Sequence, residues 1–193
     1  MVNVPKRFYE LQRLHVYDNG NFRNSISGIN ATLFGGSSAL GSTLGGMLSR
    51  MGSQMIYPYR KVGTMWDNRF KELHPTADLG YKTFMRLHDM TSEKEIAFSF
   101  KESNTVISCI GSHVWYKKDK EFEEANIRVP MAIANAVKNN PKIKRFIYVS
   151  AAGADPNSHS KRLRTKWIGE QEVKEICPDV TILRPTYIFN LLN

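Results

Sequence analysis

Apolar positions along this chain follow two rhythms, one of period two and one of three to four. Ile29 to Phe34 reads as a strand, broken by Gly35-Gly36. A helical stripe follows, in which Leu40, Leu44, Met47, Leu48 and Met51 recur at helical spacing. Gly41 and Gly45, four apart, leave a side on which that helix can lie close to a sheet. A second strand runs from Gln54 to Arg60. Val62 to Gly80 reads as a loop with one short helical piece, Asn68 to Leu73. Tyr81 to Leu87 alternates as a third strand, closed by His88-Asp89. Ser92 to Phe100 is expected to be helical, with Ser92 as cap and Glu93 and Glu95 in the first turn. Thr105 to Ile110 is a fourth, apolar strand ending in Gly111. The helical stretch Glu121 to Asn139 contains Pro130, which should kink or restart it. Phe146 to Ser150 reads as a fifth strand, Lys161 to Ile176 as a helix, and Val180 to Arg184 as a sixth strand stopped by Pro185.

Short apolar strands separated by helices indicate a parallel sheet covered on both faces. Six of them with right-handed crossovers predict an α/β fold, a doubly wound and mostly parallel Rossmann-type sheet of order 3-2-1-4-5-6. Ligands of such sheets bind beyond the carboxyl ends of the strands, at the switch point. Gly35, Arg60, Asp89, Gly111, Ser150 and Pro185 all fall at those ends. Residues 1–27 are polar and are expected to form an extended arm. They carry Glu10 and Asp18 among their bases, a poor match to an acid-free transit peptide. Residues 28–193 are expected to form one dinucleotide-binding domain without a C-terminal substrate lobe. The sheet edge at strand six should then be buried against other subunits.

Composition narrows the field modestly. The chain's 193 residues suit one domain with a real core. No apolar run reaches the roughly 18 residues of a membrane span. Twenty-seven Lys and Arg against 18 Asp and Glu give +9, a bias suited to nucleic acid, anionic lipid headgroups or an acidic protein surface. A basic mitochondrial matrix protein accounts for it better than nucleic-acid binding. Cys109 sits in the apolar run Val106 to Ile110 and Cys177 precedes Pro178, so no disulfide framework is implied. The five histidines show no metal-ligand spacing.

The first crossover carries the chemistry. A dinucleotide's pyrophosphate sits where a parallel strand hands over to a helix, because the first N–H groups there are unpaired and the dipole is positive. Glycines allow the tight turn and the close approach. An acid about 20 residues further on would select NAD, whereas a base accommodates the 2′-phosphate of NADP. Here the second strand ends in Arg60-Lys61, which predicts NADP(H).

The Gly35 to Gly41 turn, Asp89 after strand three, Ser150 after strand five and Lys166 in the next helix resemble the atypical short-chain dehydrogenase/reductases. Further blocks narrow the likeness. They are Ser27-Gly28-Ile29; Arg50 to Gln54 with Ile56 and Pro58-Tyr59-Arg60; Asp78-Leu79-Gly80; and Leu163-Arg164 with Lys166 and Gly169-Glu170. Over roughly residues 25–189 the chain is similar to the nucleotide-binding accessory subunits of mitochondrial respiratory complex I, of the alpha-subcomplex subunit 9 type. That resemblance implies a peripheral subunit on the matrix side of the inner membrane. It would hold NADPH or NADP+ near the joint of the hydrophilic and membrane arms, among other complex I subunits and within reach of anionic lipid headgroups. It also implies site roles. Gly35, Ser37, Ser38, Ala39, Leu40 and Gly41 would cradle the pyrophosphate, and Arg60 with Lys61 the 2′-phosphate. Asp89 would face the adenine, Gly111 would flank the ribose, and Ser150, Lys166 and Pro185 would surround the nicotinamide half. The chain departs from the family pattern at Ser38 and at Asn190, where glycine is usual; a Cβ at Ser38 is expected to crowd the phosphates.

Enzymes of that family use Tyr-x-x-x-Lys on one helix face. Four residues before Lys166 stands Arg162, a guanidinium that stays protonated and cannot serve as acid and base. A non-catalytic subunit is therefore expected. An active reductase or epimerase and an RNA-binding relative are the alternatives. Lys166 itself has two readings, a nicotinamide-ribose ligand or a surface lysine paired with Glu170 at i+4. Glu121, Glu123 and Glu124 read as first-turn acids that favour the helix dipole.

Overall fold

The computed structural model describes residues 25–60, 81–100, 102–112, 119–186 and 188. The short helix expected at Asn68 to Leu73, residues 1–24 of the arm, Lys61 and Asn190 lie outside them. Six parallel strands form one sheet of order β3-β2-β1-β4-β5-β6, as the apolar pattern predicts. They are β1 (Asn30–Phe34), β2 (Gln54–Tyr59), β3 (Tyr81–Arg86), β4 (Thr105–Ser108), β5 (Arg145–Val149) and β6 (Thr181–Leu183). The helices are α1 (Ala39–Arg50), α2 (Glu93–Ser99), α3 (Asp119–Glu123), α4 (Val129–Lys138) and α5 (Lys161–Ile176). A π turn, Glu124–Arg128, joins α3 to α4.

Alternation along the strands splits the core in two. Phe34, Val106, Phe146 and Tyr148 face α2, α4 and α5, which pack side by side. Ala31, Leu33, Met55 and Tyr57 face the other way, with Leu44 and Leu48 of α1 against them. The expected small side of α1 is the one in contact, and only part of the expected apolar stripe joins it. The face of α1 that lies on the sheet is its small one, with Gly41, Ser42, Gly45 and Ser49 buried. Met47 and Met51 of the expected apolar stripe are exposed. The cause lies beneath the helix. Tyr57 is fully buried, and a Cβ at Gly36 would lie 2.7 Å from its ring and one at Gly45 2.5 Å from its hydroxyl, so only glycine fits over it.

The ladder between β1 and β2 ends at Thr32↔Ile56, while β2 continues with β3 to Tyr59↔Arg86. This explains Pro58 inside an interior strand. The Leu87 N–H donates to the Tyr59 carbonyl, so Pro58, the alternate residue, faces β1 beyond the last pair, where no donor is needed. The strands part there, at the switch point.

Pro130 does restart a helix, and by a definite route. Lacking an N–H, it cannot donate to the carbonyl of Asn126 four residues earlier. The Val129 N–H instead reaches the Glu124 carbonyl, one residue further back than an α-helix allows, and the π turn results. Arg60 and Glu124 also meet here, and Glu123 faces Lys161 at 3.7 Å. Glu121 is a first-turn acid of α3, alongside Asp119, and Glu124 one of the π turn. Ser92 stands at the N-cap of α2 without bonding through its side chain.

Candidate functional site

The turn between β1 and α1 is built for close approach. Gly35 has φ of +81°, and a Cβ on it would lie 2.9 Å from the Cys109 carbonyl at the end of β4. A Cβ on Gly41 would overlap the Gly35 carbonyl oxygen. Ser38 is the N-cap, its hydroxyl donating to the Gly35 carbonyl at 2.7 Å and accepting from the Gly41 N–H at 3.0 Å. The serine therefore turns inward and takes one helix-end donor for itself. The N–H groups of Ala39 and Leu40 have no acceptor among the described residues, and Ser37 sits half-buried beside them. A fixed cradle with unpaired amides at a helix start fits a pyrophosphate.

Arg60 follows β2 at the edge of this cradle. Its guanidinium donates to Glu124 Oε1 at 3.0 Å, and both side chains are half-exposed. Asp89, after β3, turns onto its own loop. Its Oδ1 accepts from the Thr91 hydroxyl at 2.7 Å and the Thr91 N–H at 2.8 Å, and these bonds lower its pKa. The Asp89 and His88 N–H groups donate to Glu95.

The far end of the crevice is closed. Lys166 is 7% exposed, and its Nζ donates to the carbonyls of Ile110 and Val149, both at 2.9 Å, across the ends of β4 and β5. Gly111 makes room for it, since a Cβ there would lie 2.8 Å from Lys166 Nζ. The surface-pair reading of Lys166 is thus corrected: Glu170 binds Arg184 through two bonds instead. Burial pushes the Lys166 pKa down to about 8, with Cys109 opposing and Arg162 adding to the shift. Ser150 is buried and donates its N–H to Leu183, and Ala152 donates to the Pro185 carbonyl, so the β5 and β6 ends are laced together.

Asn126 organises this end, and no sequence pattern singled it out. Wholly buried in the π turn, it accepts from the Ser112 N–H at 3.1 Å and donates to the Thr165 hydroxyl at 2.9 Å. Its carbonyl, which Pro130 denies the usual donor four residues on, lies against Gly169, where a Cβ would overlap it, and 3.5 Å from the Tyr148 hydroxyl. A polar residue on an otherwise apolar helix face, four before a proline, is the available signal.

No protein-family model matches the chain. Individual proteins do. The chain is 40% identical over 167 residues to the NADH dehydrogenase [ubiquinone] 1 alpha subcomplex subunit 9, mitochondrial, of Mus musculus. It is 35% identical over 167 residues to the NADH-ubiquinone oxidoreductase 40 kDa subunit of Neurospora crassa. By sequence, the chain is a homologue of these complex I subunits. Both matches cover 86% of the chain and 42% of the relative, so the chain spans less than half the length of these homologues. Solved structures show the same fold at much lower identity. The yeast methylglyoxal/isovaleraldehyde reductase complexed with NADPH superposes with a TM-score of 0.69 at 12% identity, over 83% of this chain and 58% of that one. A short-chain dehydrogenase/reductase from Vibrio parahaemolyticus gives 0.67 at 14% identity, over 83% and 80%. The chain thus shares the doubly wound parallel sheet of these structures. No helix among the described residues is long and apolar enough to cross a membrane.

Proposed function

We propose that the chain is a non-catalytic, NADP(H)-binding subunit of respiratory complex I, peripheral on the matrix side of the mitochondrial inner membrane. In this reading residues 28–193 form its nucleotide-binding domain, and it stabilises the joint between the hydrophilic and membrane arms. One juxtaposition carries the nucleotide assignment: helix-end amides at Ala39 and Leu40, without an acceptor among the described residues, and the cationic Arg60 follow the carboxyl ends of the neighbouring strands β1 and β2. The amides suit a pyrophosphate and the guanidinium a phosphomonoester, a pairing NADP(H) has and NAD(H) lacks. Homology to complex I subunits supports the setting.

When bound, the dinucleotide could supply a hydride; in this reading no described residue beside Lys166 supplies the matching proton. Lys166 is engaged by two carbonyls, and the residue one helical turn before it is Arg162, a guanidinium where a hydroxyl would be needed. Losing a positioned acid removes roughly 10²- to 10⁴-fold in rate. The test is chemical. Nucleotide released by denaturing the purified assembly should contain NADPH or NADP+ in near-equal amount with this subunit, and its absence would overturn the reading. Steady NADPH oxidation by the isolated chain with simple ketones would overturn the non-catalytic part.

A further inference from the structure

The Arg60–Glu124 pair joins residues 64 apart in sequence. Arg60 leaves the carboxyl end of β2, and Glu124 stands in the helical layer entered after β4. These two strands flank β1, whose glycine turn opens between them. We propose that Glu124 is an in-chain stand-in for the ribose 2′-phosphate, holding Arg60 at the crevice mouth until a phosphomonoester displaces it. The inference rests on the NADP(H) reading above and names the residue that tunes it.

Three observations carry it. The pair is exposed on both sides, 53% and 47%, so it adds little to folding and is open to exchange. The backbone at Glu124 is anchored, because its carbonyl accepts from the Val129 N–H and Asn126, two residues on, is fixed by Ser112 and Thr165. Its neighbour Glu123 faces Lys161 on α5, so of the two adjacent acids only Glu124 is placed on Arg60. The exchange runs in the right direction. A phosphomonoester carries about −1.5 to −2 charges at pH 7 and three acceptor oxygens, against one charge on the carboxylate. A dinucleotide lacking that phosphate offers nothing to exchange.

Titration of the full chain with NADPH and with NADH tests the assignment, using Glu124→Gln and, as a second variant, Glu124→Ala. Each should tighten NADPH roughly two- to five-fold, the range of an exposed ion pair, and leave NADH unchanged. In an Arg60→Ala background the gain should vanish. NADPH binding that ignores both Glu124 variants would overturn the inference and leave the NADP(H) reading intact, as would equal gains for both nucleotides. A gain that survives loss of Arg60 would likewise overturn it. If no form of the chain binds NADPH, the NADP(H) reading fails and takes the inference with it.

Discussion

The two ends of the crevice are built from opposite materials. At the end formed by β1, β2 and β3, the polar groups are half-buried or exposed and hold substitute partners close at hand: Ser38 on Gly41, Arg60 on Glu124, Asp89 on Thr91. At the end formed by β4, β5 and β6 they are buried, and the charged and amide groups are paired, while the hydroxyls of Ser108, Ser112 and Ser150 have no partner among the described residues. Lys166 bridges two strand ends, Asn126 ties three segments, and Glu170 is locked to Arg184. Exposed pairs exchange at little cost, whereas a buried network tolerates no vacancy. The first end is therefore suited to taking up a charged ligand. The second is suited to holding the sheet together, through Lys166 across the ends of β4 and β5 and Arg184 on Glu170.

The sharpest way to break this contrast is at Gly169. Gly169→Ala would drive a methyl into the Asn126 carbonyl, a backbone atom of the π turn that cannot step aside. Urea unfolding should show a loss of about 3 kcal/mol, the upper range for overpacking. Gly153→Ala, whose methyl would meet only the Leu163 side chain at 3.1 Å, should cost far less. Similar losses at both positions would mean the closed end is not clamped as described.

Lys166 offers a test by pH. Its pKa falls from the ordinary 10.5 to about 8 in the folded chain, chiefly by burial. Between those values the unfolded chain binds the proton that the folded chain has released, so stability must rise with pH across that window. Below about 8 both states are protonated and the burial penalty stands in full. The gain integrates to roughly 3 kcal/mol at about 1.4 kcal/mol per pH unit. Cys109 and Tyr148 titrate above their usual ranges beside it, so the comparison is with Lys166→Met, which keeps them. Thermal unfolding from pH 7 to 10.5 should show wild type gaining on the variant. Parallel curves would place the amine in solvent.

At the open end, Arg60→Ala should weaken NADPH binding roughly 10- to 100-fold, the worth of charge-assisted hydrogen bonds to one anion. NADH affinity should hold, and unfolding should move by under about 0.5 kcal/mol because the Glu124 pair is half-exposed. A large fall in stability would make Arg60 part of the fold, and the contrast between the two ends would shrink.

Much of this was legible in the sequence, for physical reasons that differ by element. Six strands and their order follow from short apolar runs between helices, and α5 begins and ends at Lys161 and Ile176 as its pattern predicts. The carboxyl-end positions of Gly35, Arg60, Asp89, Gly111, Ser150 and Pro185 follow from that order alone. What escaped depends on partners distant in sequence. Met47 and Met51 of the α1 stripe point outward because Tyr57, in another strand, leaves space only for glycine beneath the helix. Lys166 and Glu170 sit four apart yet part company, since Arg184 and two strand-end carbonyls outbid helical adjacency. Asn126 acquires its role only when Pro130 opens the helix and Gly169 closes on it.

The smallest effect separates two consequences of Ser38. Sequence suggests that its Cβ crowds the phosphates; the structure adds that its hydroxyl takes the Gly41 N–H. Ser38→Ala keeps the Cβ and frees the amide, losing a cap worth about 1 kcal/mol. Ser38→Gly removes both obstacles and should cost only a few tenths of a kcal/mol as a cap. If the amide is what matters, both variants should tighten NADPH by a similar factor of roughly two to ten, one neutral hydrogen bond's worth. If crowding matters, only Ser38→Gly gains. Calorimetric titration of both variants beside the unfolding curves distinguishes them. Weaker binding in both would mean that the hydroxyl itself serves the phosphates, and that the serine belongs to the open end rather than obstructing it.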